Sequence, residues 1–216
     1  PTAAVGAIDH DLRSLEALDR LKTVDLIFGC VDNDGARLVL NELAVAYRVP
    51  YVDIGTGIHP AQAGSPPVVG GRVAIVRPGS ACLSCLGQID VDEARYFLSS
   101  RAEQKRARAL GYVSGVDLPA PAVISLNSLA VSVAIQELLI WLAGTRPPYP
   151  LSDIDGLGQM KPLPGPWVTP RRQPLQQNSC VVCARSGEGD SVRIERYVPP
   201  ADPAPAGTPK IQGLGR

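Results

Sequence analysis

Two C-x-x-C pairs constrain this chain more than any other feature of its sequence. They are Cys82 with Cys85 and Cys180 with Cys183, and Cys82 lies 98 positions before Cys180. Four thiolates in two such pairs form a complete tetrahedral ligand set for a structural zinc ion. A zinc ribbon has only about 15–20 residues between its pairs. The spacing therefore predicts a zinc clip that ties a distant C-terminal segment to the middle of the chain.

Composition and charge exclude several classes of protein. Apolar residues make up 45% of the 216 residues and charged residues 19%, as in ordinary globular domains. Lys plus Arg and Asp plus Glu both number 21, so no net charge favours nucleic acid or an anionic membrane. Five cysteines, four of them paired by spacing, fit a reducing cytoplasm better than a disulfide scaffold. The chain begins at Pro1 without a Met, which indicates a fragment or a processed protein.

One apolar segment, from Val123 to Leu142, approaches the 20 residues that a membrane-spanning helix needs. It also contains several polar residues, including Asn127, Gln136 and Glu137. This polar content favours a buried core helix of a protein that does not enter a membrane.

The first half of the chain contains a strand–helix–strand pattern. Val24 to Val31 is a short, nearly continuous apolar run, typical of a parallel strand covered on both faces. Asp32-Asn33-Asp34-Gly35 predicts a helix start, and Ala36 to Arg48 has apolar residues at helical spacing. Pro50 ends this helix, and Tyr51 to Ile54 reads as the next strand. The pattern predicts an α/β fold with a Rossmann-like, mostly parallel sheet whose N-terminal part is missing.

The remaining segments complete a predicted domain plan. Gly71 to Arg77 reads as a half-exposed strand, and Asp92 to Leu110 as one charged helix. A proline-rich stretch from Gly144 to Gln177 predicts an extended arm, and Ser191 to Val198 a final strand. We expect a partial α/β domain over 1–143, an arm with the second cysteine pair over 144–198, and a disordered tail over 199–216.

Polar side chains follow the first predicted strand, where ligands of open parallel sheets bind. The Asp32 carboxylate can hold Mg²⁺ together with substrate phosphates, or it can simply cap the helix that follows. Arg37 and Asn41 are four residues apart and share one face of that helix, where buried polar groups need partners. Asp53, at the end of the second strand, either approaches a substrate or caps a turn.

The run from Asp25 to Asn41 resembles the metal-binding strand and helix of the ThiF/MoeB/HesA adenylyltransferases, which are ubiquitin-activating-enzyme-like proteins. Their pattern is Asp-Asn-x-x-x-Arg-x-x-x-Asn. The similarity continues through Pro50–Asp53, the Gly71–Pro78 strand, the segment from Pro121 to Glu137 and both cysteine pairs. It covers about residues 20 to 198, and the order and spacing of the blocks make it specific.

The resemblance implies an activity and a set of site residues. Asp32 would bind the Mg²⁺ of Mg·ATP and act with Arg37 in catalysis, while Asn33, Arg37 and Asn41 would lie at the nucleotide or acyl-adenylate. The four cysteines would bind structural zinc. The implied reaction is ATP-dependent adenylation of the C-terminal carboxylate of a ubiquitin-like or sulfur-carrier protein, by an enzyme that is usually a homodimer.

The sequence also departs from the family pattern. The Gly-rich phosphate loop, the ribose-binding acid, and the phosphate-contacting Arg and Lys do not occur before residue 20. Gly55-Thr56-Gly57 is followed by Pro60 and makes a poor dinucleotide site, so an ordinary Rossmann oxidoreductase is disfavoured. We expect this fragment to be inactive alone. The alternative is a catalytically inactive, zinc-stabilised scaffold or partner subunit of such an enzyme.

Several members of the family use a nucleophilic cysteine in the crossover segment after the first pair. Here Gly87 to Ala122 contains no cysteine, and Cys30 is predicted to be buried, inert packing within the first strand. The sequence therefore predicts adenylation without a covalent cysteine step.

Overall fold

The structure is a computed structural model that describes residues 2–59, 68–110, 124–156, 167–171 and 179–199. Within these ranges the chain forms five α-helices and five strands, followed by three short 3-10 turns. In chain order they are α1 (Leu15–Leu21), β1 (Ile27–Gly29), α2 (Asp34–Tyr47), β2 (Tyr51–His59), β3 (Val68–Val76), α3 (Val91–Leu98), α4 (Arg101–Ala109), α5 (Ile124–Leu142), β4 (Leu151–Asp155) and β5 (Trp167–Arg171), with the 3-10 turns at Cys183–Arg185, Gly189–Val192 and Ile194–Tyr197.

The predicted strand–helix–strand unit is present, and β1 pairs with β2 in parallel. Asn33 is the N-cap of α2, and its side chain accepts a hydrogen bond from the Ala36 amide; Arg48, in a left-handed conformation, is the C-cap. β1 is shorter than predicted and forms one edge of the described sheet. Phe28 is 39% exposed, so the expectation of a strand covered on both faces is wrong.

The five strands form one sheet in the order β1-β2-β3-β4-β5. Only the β1–β2 pairing is parallel among the described strands, because β2, β3, β4 and β5 pair successively in antiparallel fashion. The fold is mixed α/β as predicted, but a mostly parallel arrangement does not hold for these strands. The strand predicted over Tyr51–Ile54 is longer than expected, since β2 continues through Gly55-Thr56-Gly57 to His59.

Two apolar clusters cover opposite faces of the sheet. The larger one joins α2 to Tyr51, Ala74 and both cysteine pairs, and the smaller one joins α5 to Val52 and Ile75. The alternation along β2 and β3 sends successive side chains to these two clusters. Val73–Val76 is therefore buried on both faces, and the prediction of a half-exposed strand at Gly71–Arg77 is wrong in this part.

The charged segment after the first cysteine pair forms two helices, α3 and α4, where one was predicted. Ser100 breaks it, because its side chain caps α4 in a capping box with Glu103. α4 buries none of its residues, so its basic side chains form a solvated face.

The apolar segment predicted as a buried core helix forms α5, which buries only one stripe against the sheet. That stripe contains Leu126, Ala130 and Ala134, while Ile124 and Leu142 are mostly exposed. By length and composition α5 is one helix, among those described, that is long and apolar enough to cross a membrane, and 22% of it is buried. Glu137 interrupts the apolar surface and forms a two-pronged ion pair with Arg146 at 2.6 and 2.9 Å.

The C-terminal segment differs most from its prediction. Part of the proline-rich arm joins the sheet, because β4 pairs with β3 and β5 pairs with β4. The predicted strand from Ser191 to Val198 is wrong, since these residues form 3-10 turns that flank Arg193 at a φ of 54°. The predicted tail lies outside the described residues except for residue 199.

Candidate functional site

The two cysteine pairs meet at one place on the α2 side of the sheet. All four Sγ atoms lie within 4.8 Å of one another, and the Cys82–Cys180 and Cys85–Cys183 separations are both 3.6 Å. A zinc ion bound by four sulfurs at about 2.3 Å places those sulfurs roughly 3.8 Å apart. None of the four forms a disulfide. The donor set and its spacing fit a tetrahedral metal ion.

Asn41 supports the first of these pairs. Its Oδ1 accepts a hydrogen bond from the Leu83 amide at 2.9 Å, and its Nδ2 donates to Ser84 Oγ at 3.5 Å. Leu83 and Ser84 are the residues between Cys82 and Cys85, and Asn41 is fully buried. Asn41 thus attaches the Cys82–Cys85 loop to α2.

The segment that follows the second cysteine pair makes polar contacts with Lys22 and Tyr47. Lys22, which follows α1, donates to Glu195 at 2.5 Å and to Asp19 at 2.9 Å. The hydrogen bond to Glu195 is the main influence that raises the pKa of Lys22. Tyr47 at the end of α2 donates to Asp190. The C-terminal segment is therefore fastened to α1 and α2 as well as to the cysteine cluster.

Asp32 lies beyond the carboxyl end of β1 with its side chain exposed. Its Oδ1 accepts a hydrogen bond from Asn33 Nδ2 at 3.0 Å. Asn33, and not Asp32, is the N-cap of α2, so the alternative that Asp32 merely caps the helix is wrong. An exposed carboxylate at this end of a parallel strand pair fits an oxygen ligand of Mg²⁺.

The N-terminus of α2 already has acceptors supplied by the protein. Asn33 Oδ1 accepts from the Ala36 amide at 2.8 Å, and Glu93 of α3 accepts from the Asp34 amide at 3.4 Å. Burial, followed by the charge of Asp34, raises the pKa of Glu93. Because these two amides already donate to protein groups, the N-terminus of α2 is poorly suited to bind a phosphate directly. A cation bound by Asp32 fits this position better.

Arg37 connects the β1–α2 turn to the neighbouring strand. Its Nη1 donates to Asp34 at 2.7 Å, its Nη2 donates to the Val31 carbonyl at 2.9 Å, and its Nε lies 3.4 Å from Asp53. Its side chain is only 11% exposed. Burial opposes the charge of Arg37, but Asp53 and Asp34 together raise its pKa above the ordinary value.

Asp53 is a fully buried carboxylate on the α2 face of β2. Tyr51 donates to its Oδ1 at 2.7 Å, and Arg72 Nε lies 3.8 Å from its Oδ2. Burial is the largest influence on Asp53 and raises its pKa against the opposing effects of Arg37, Tyr51 and Arg72. The Tyr51 ring itself lies against Gly29, where no side chain intervenes. Asp53 therefore neither caps a turn nor reaches solvent, so neither predicted role fits its contacts.

Three buried atoms of this group have no hydrogen-bond partner among the described residues: Arg37 Nε, Asp53 Oδ2 and Arg72 Nε. Arg72 uses its Nη2 to donate to the Gln88 carbonyl at 2.8 Å. The ion pairs of Asp53 thus reach both the β1–α2 turn and the segment that follows the first cysteine pair.

Sequence reasoning missed Asp34 and Arg72. Asp34 accepts from both Arg37 and the Asp90 amide, the latter at 2.6 Å. A signal for Arg72 was available, because an arginine among the apolar residues of a central strand needs a buried partner. Asp34 is predicted only as part of a helix start, so its role as a buried acceptor was missed.

Cys30 is exposed, so the prediction that it is buried packing is wrong. β1 ends at Gly29, and Cys30 therefore lies beyond the strand and outside the core. The four thiols of the metal-type cluster do not include it.

Comparisons with known proteins show the family and the fold of the chain. The sequence matches the ThiF family model over residues 1–180, which begins earlier than the similarity predicted from residue 20 and stops before Cys183. No curated protein sequence matches the chain.

Solved structures of MccB from E. coli share the fold. The complex of MccB with MccA-N7isoASN aligns with a TM-score of 0.54 at 11% identity, covering 82% of this chain and 45% of MccB. MccB alone gives 0.52 at 13% identity and MccB with ATP gives 0.51 at 10%, each covering 82% of this chain and 44% of MccB. The chain thus spans less than half the length of MccB.

Proposed function

Because the chain belongs to the ThiF family, we propose that it takes part in ATP-dependent adenylation of a C-terminal carboxylate. At the level of the family, the supported activity is adenylation of the C-terminus of a peptide or carrier protein. The substrate that we infer is a ubiquitin-like or sulfur-carrier protein, activated in the cytoplasm by a homodimer. One observation carries the proposal: the exposed Asp32 lies at the carboxyl end of β1 within the Asp-Asn-x-x-x-Arg-x-x-x-Asn run.

In this reaction a carboxylate oxygen of the substrate attacks the α-phosphorus of ATP, the bond to the β-phosphate breaks, and pyrophosphate leaves. Asp32 is the residue that would hold Mg²⁺, which when bound neutralises charge on the phosphates. Asn33 caps α2 beside it and donates to its carboxylate. The described hydrogen bonds of Arg37 and Asn41 are made to other groups of the protein, which supports a role in holding the site in place.

The cysteine cluster is proposed to bind zinc with a structural role. All four ligands come from the protein, as in closed structural sites, which leaves no position for a substrate. Elemental analysis of the purified protein should give one zinc per chain, and less than half an equivalent with reduced thiols would contradict this assignment.

The activity is tested by exchange of labelled pyrophosphate into ATP with the native full-length protein. Synthetic peptides copying the C-termini of ubiquitin-like and sulfur-carrier proteins serve as substrates, each as a free acid and as a C-terminal amide. Exchange is expected with the free acids and not with the amides, because only a carboxylate can be adenylated. Exchange with neither form, and with none of the intact carrier proteins, would favour the inactive scaffold.

Asp32→Ala tests the metal role within the same assay. Loss of a metal ligand should lower exchange on the order of 100-fold, since charge stabilisation by a metal contributes several kcal/mol. Asp25→Ala is the matched control, because Asp25 is an exposed aspartate that precedes β1. Unchanged exchange in Asp32→Ala would overturn the assignment of Asp32.

A further inference from the structure

Arg37 joins the buried ion pairs around Asp53 to the backbone next to Asp32. Arg37 Nη2 donates to the Val31 carbonyl, which belongs to the peptide group that joins Val31 to Asp32. The same guanidinium donates to Asp34 in the first turn of α2. One side chain therefore contacts both Val31, which precedes Asp32, and Asp34, which lies two residues after it.

Asp53 in turn restricts the orientation of Arg37. A guanidinium is planar, so hydrogen bonds from both Nη atoms and an ion pair with a carboxylate 3.4 Å from Nε together limit its rotation. Asp53 has no exposed surface, and Tyr51 donates to the same oxygen that faces Arg37. Both Asp53 and the tyrosine that positions its carboxylate belong to β2, the strand paired with β1.

We propose that Asp53 and Arg37 are positioning residues for Asp32, and that they set the affinity of the site for the divalent cation that accompanies ATP. Neither side chain contacts the cation. This inference rests on the proposed function, because it takes Asp32 as the cation ligand. Partners that orient the ligands of a metal typically change its affinity by roughly 10–100-fold when they are replaced.

Arg72 provides the contrast. It pairs with the other oxygen of Asp53, but its own hydrogen bond goes to the Gln88 carbonyl, away from the β1–α2 turn. Arg72 and Arg37 carry the same charge and face the same carboxylate. Of the two, Arg37 donates to the Val31 carbonyl beside Asp32, whereas Arg72 donates to the Gln88 carbonyl. A variant of Arg72 therefore changes the local charge without releasing Asp32.

The test measures binding of Mn²⁺, in the presence of ATP, to the native full-length protein by electron paramagnetic resonance. Asp53→Asn and Arg37→Lys are each expected to weaken Mn²⁺ binding about tenfold or more. Arg37→Lys keeps the positive charge and loses only the planar guanidinium. If the effect of Arg37 were purely electrostatic, this variant would bind Mn²⁺ with wild-type affinity. Arg72→Gln should bind Mn²⁺ at least as tightly as the wild type, because it removes a positive charge.

Folding is monitored by near-ultraviolet circular dichroism and zinc content, which a loss of positioning should leave intact. If Asp53→Asn does not fold, Arg37→Lys alone decides. Wild-type Mn²⁺ affinity in folded Arg37→Lys overturns the inference, provided that Asp32→Ala has lost binding. Wild-type affinity in Asp32→Ala instead overturns the metal role in the proposed function, so the two failures are distinguishable.

Discussion

The two faces of the sheet are built in different ways. On one face α2 is covered by two cysteine pairs, by the C-terminal turns and by a buried ionic group, and its apolar cluster includes Leu43 with no exposed surface. On the other face α5 contributes a single buried stripe, and its outer side leaves Leu139 54% exposed. The four cysteines, Arg37, Asn41 and Asp53 lie on the α2 face, and Asp32 lies in the turn that leads into α2.

The α2 face is the one on which side chains connect several elements. Arg37 and Asn41 lie on one helix and contact different elements: Arg37 lies beside Asp53 of β2, and Asn41 accepts from Leu83 in the loop of the first cysteine pair. Residues on rigid elements hold a reactive geometry more accurately than residues on loops. Contacts on the α5 face involve fewer elements and are mainly apolar, as expected for a face that only closes the sheet.

The largest expected effect comes from removing Cys183, a proposed ligand of the structural zinc. Cys183→Ser should release the metal and increase amide hydrogen exchange of residues 179–199 by about 100-fold or more, because metal binding free energy becomes folding free energy for the segment it closes. Amides of α5 should exchange as before. Cys30→Ser is the matched control, since Cys30 is a cysteine outside the cluster. Equal loss of protection in α5 would mean that the two faces are not independent.

Truncation of one leucine on each face should produce a smaller difference. Leu43→Ala should lower the free energy of unfolding by about 3–5 kcal/mol, and Leu126→Ala by about 2–3 kcal/mol, because a less confined site collapses more readily around a cavity. Leu126 is 6% exposed in the smaller cluster, whereas Leu43 is fully buried in the larger one. Urea denaturation of the zinc-loaded protein measures both. A larger loss for Leu126→Ala would reverse the comparison.

The smallest effect is expected in acid, from the ion pair on α5. Burial raises the pKa of Glu137, but the hydrogen bonds from Arg146 and the Tyr149 amide outweigh it and bring the pKa below the ordinary value of 4.5. Its stabilising contribution is therefore present above pH 4.5 and is lost as the pH falls through the lower folded-state pKa. A partly exposed pair contributes about 1 kcal/mol or less.

Thermal melting of wild type and Glu137→Gln from pH 7 to pH 3 checks this prediction. Protonation of the cysteine ligands affects both proteins, so the difference between their melting temperatures reports Glu137. That difference should shrink as the pH falls. A constant difference would show that Glu137 contributes packing and no charge.

Local signals explain what the sequence predicted correctly. The Asp32–Gly35 run predicts the start of α2, and Pro50 predicts its end. The tetrahedral ligand set of a structural zinc predicts that the two cysteine pairs meet. The contacts of Asp53 and Arg72 could not be predicted, because they depend on the register between β2 and β3, where Gly55 lies opposite Arg72. Residues 191–198 alternate like a strand, yet the cysteine cluster and the contacts with Lys22 fold them into turns.

Gly29 and Tyr51 have a consequence for how this protein can change in evolution. A Cβ at Gly29 would lie 2.6 Å from the Tyr51 ring and hydroxyl, the same hydroxyl that donates to Asp53. A larger residue at position 29 therefore forces the Tyr51 ring to move or to be replaced, and either change disturbs the hydroxyl that donates to the carboxylate. In related chains the two positions should vary together, with a glycine at 29 where a tyrosine occupies 51.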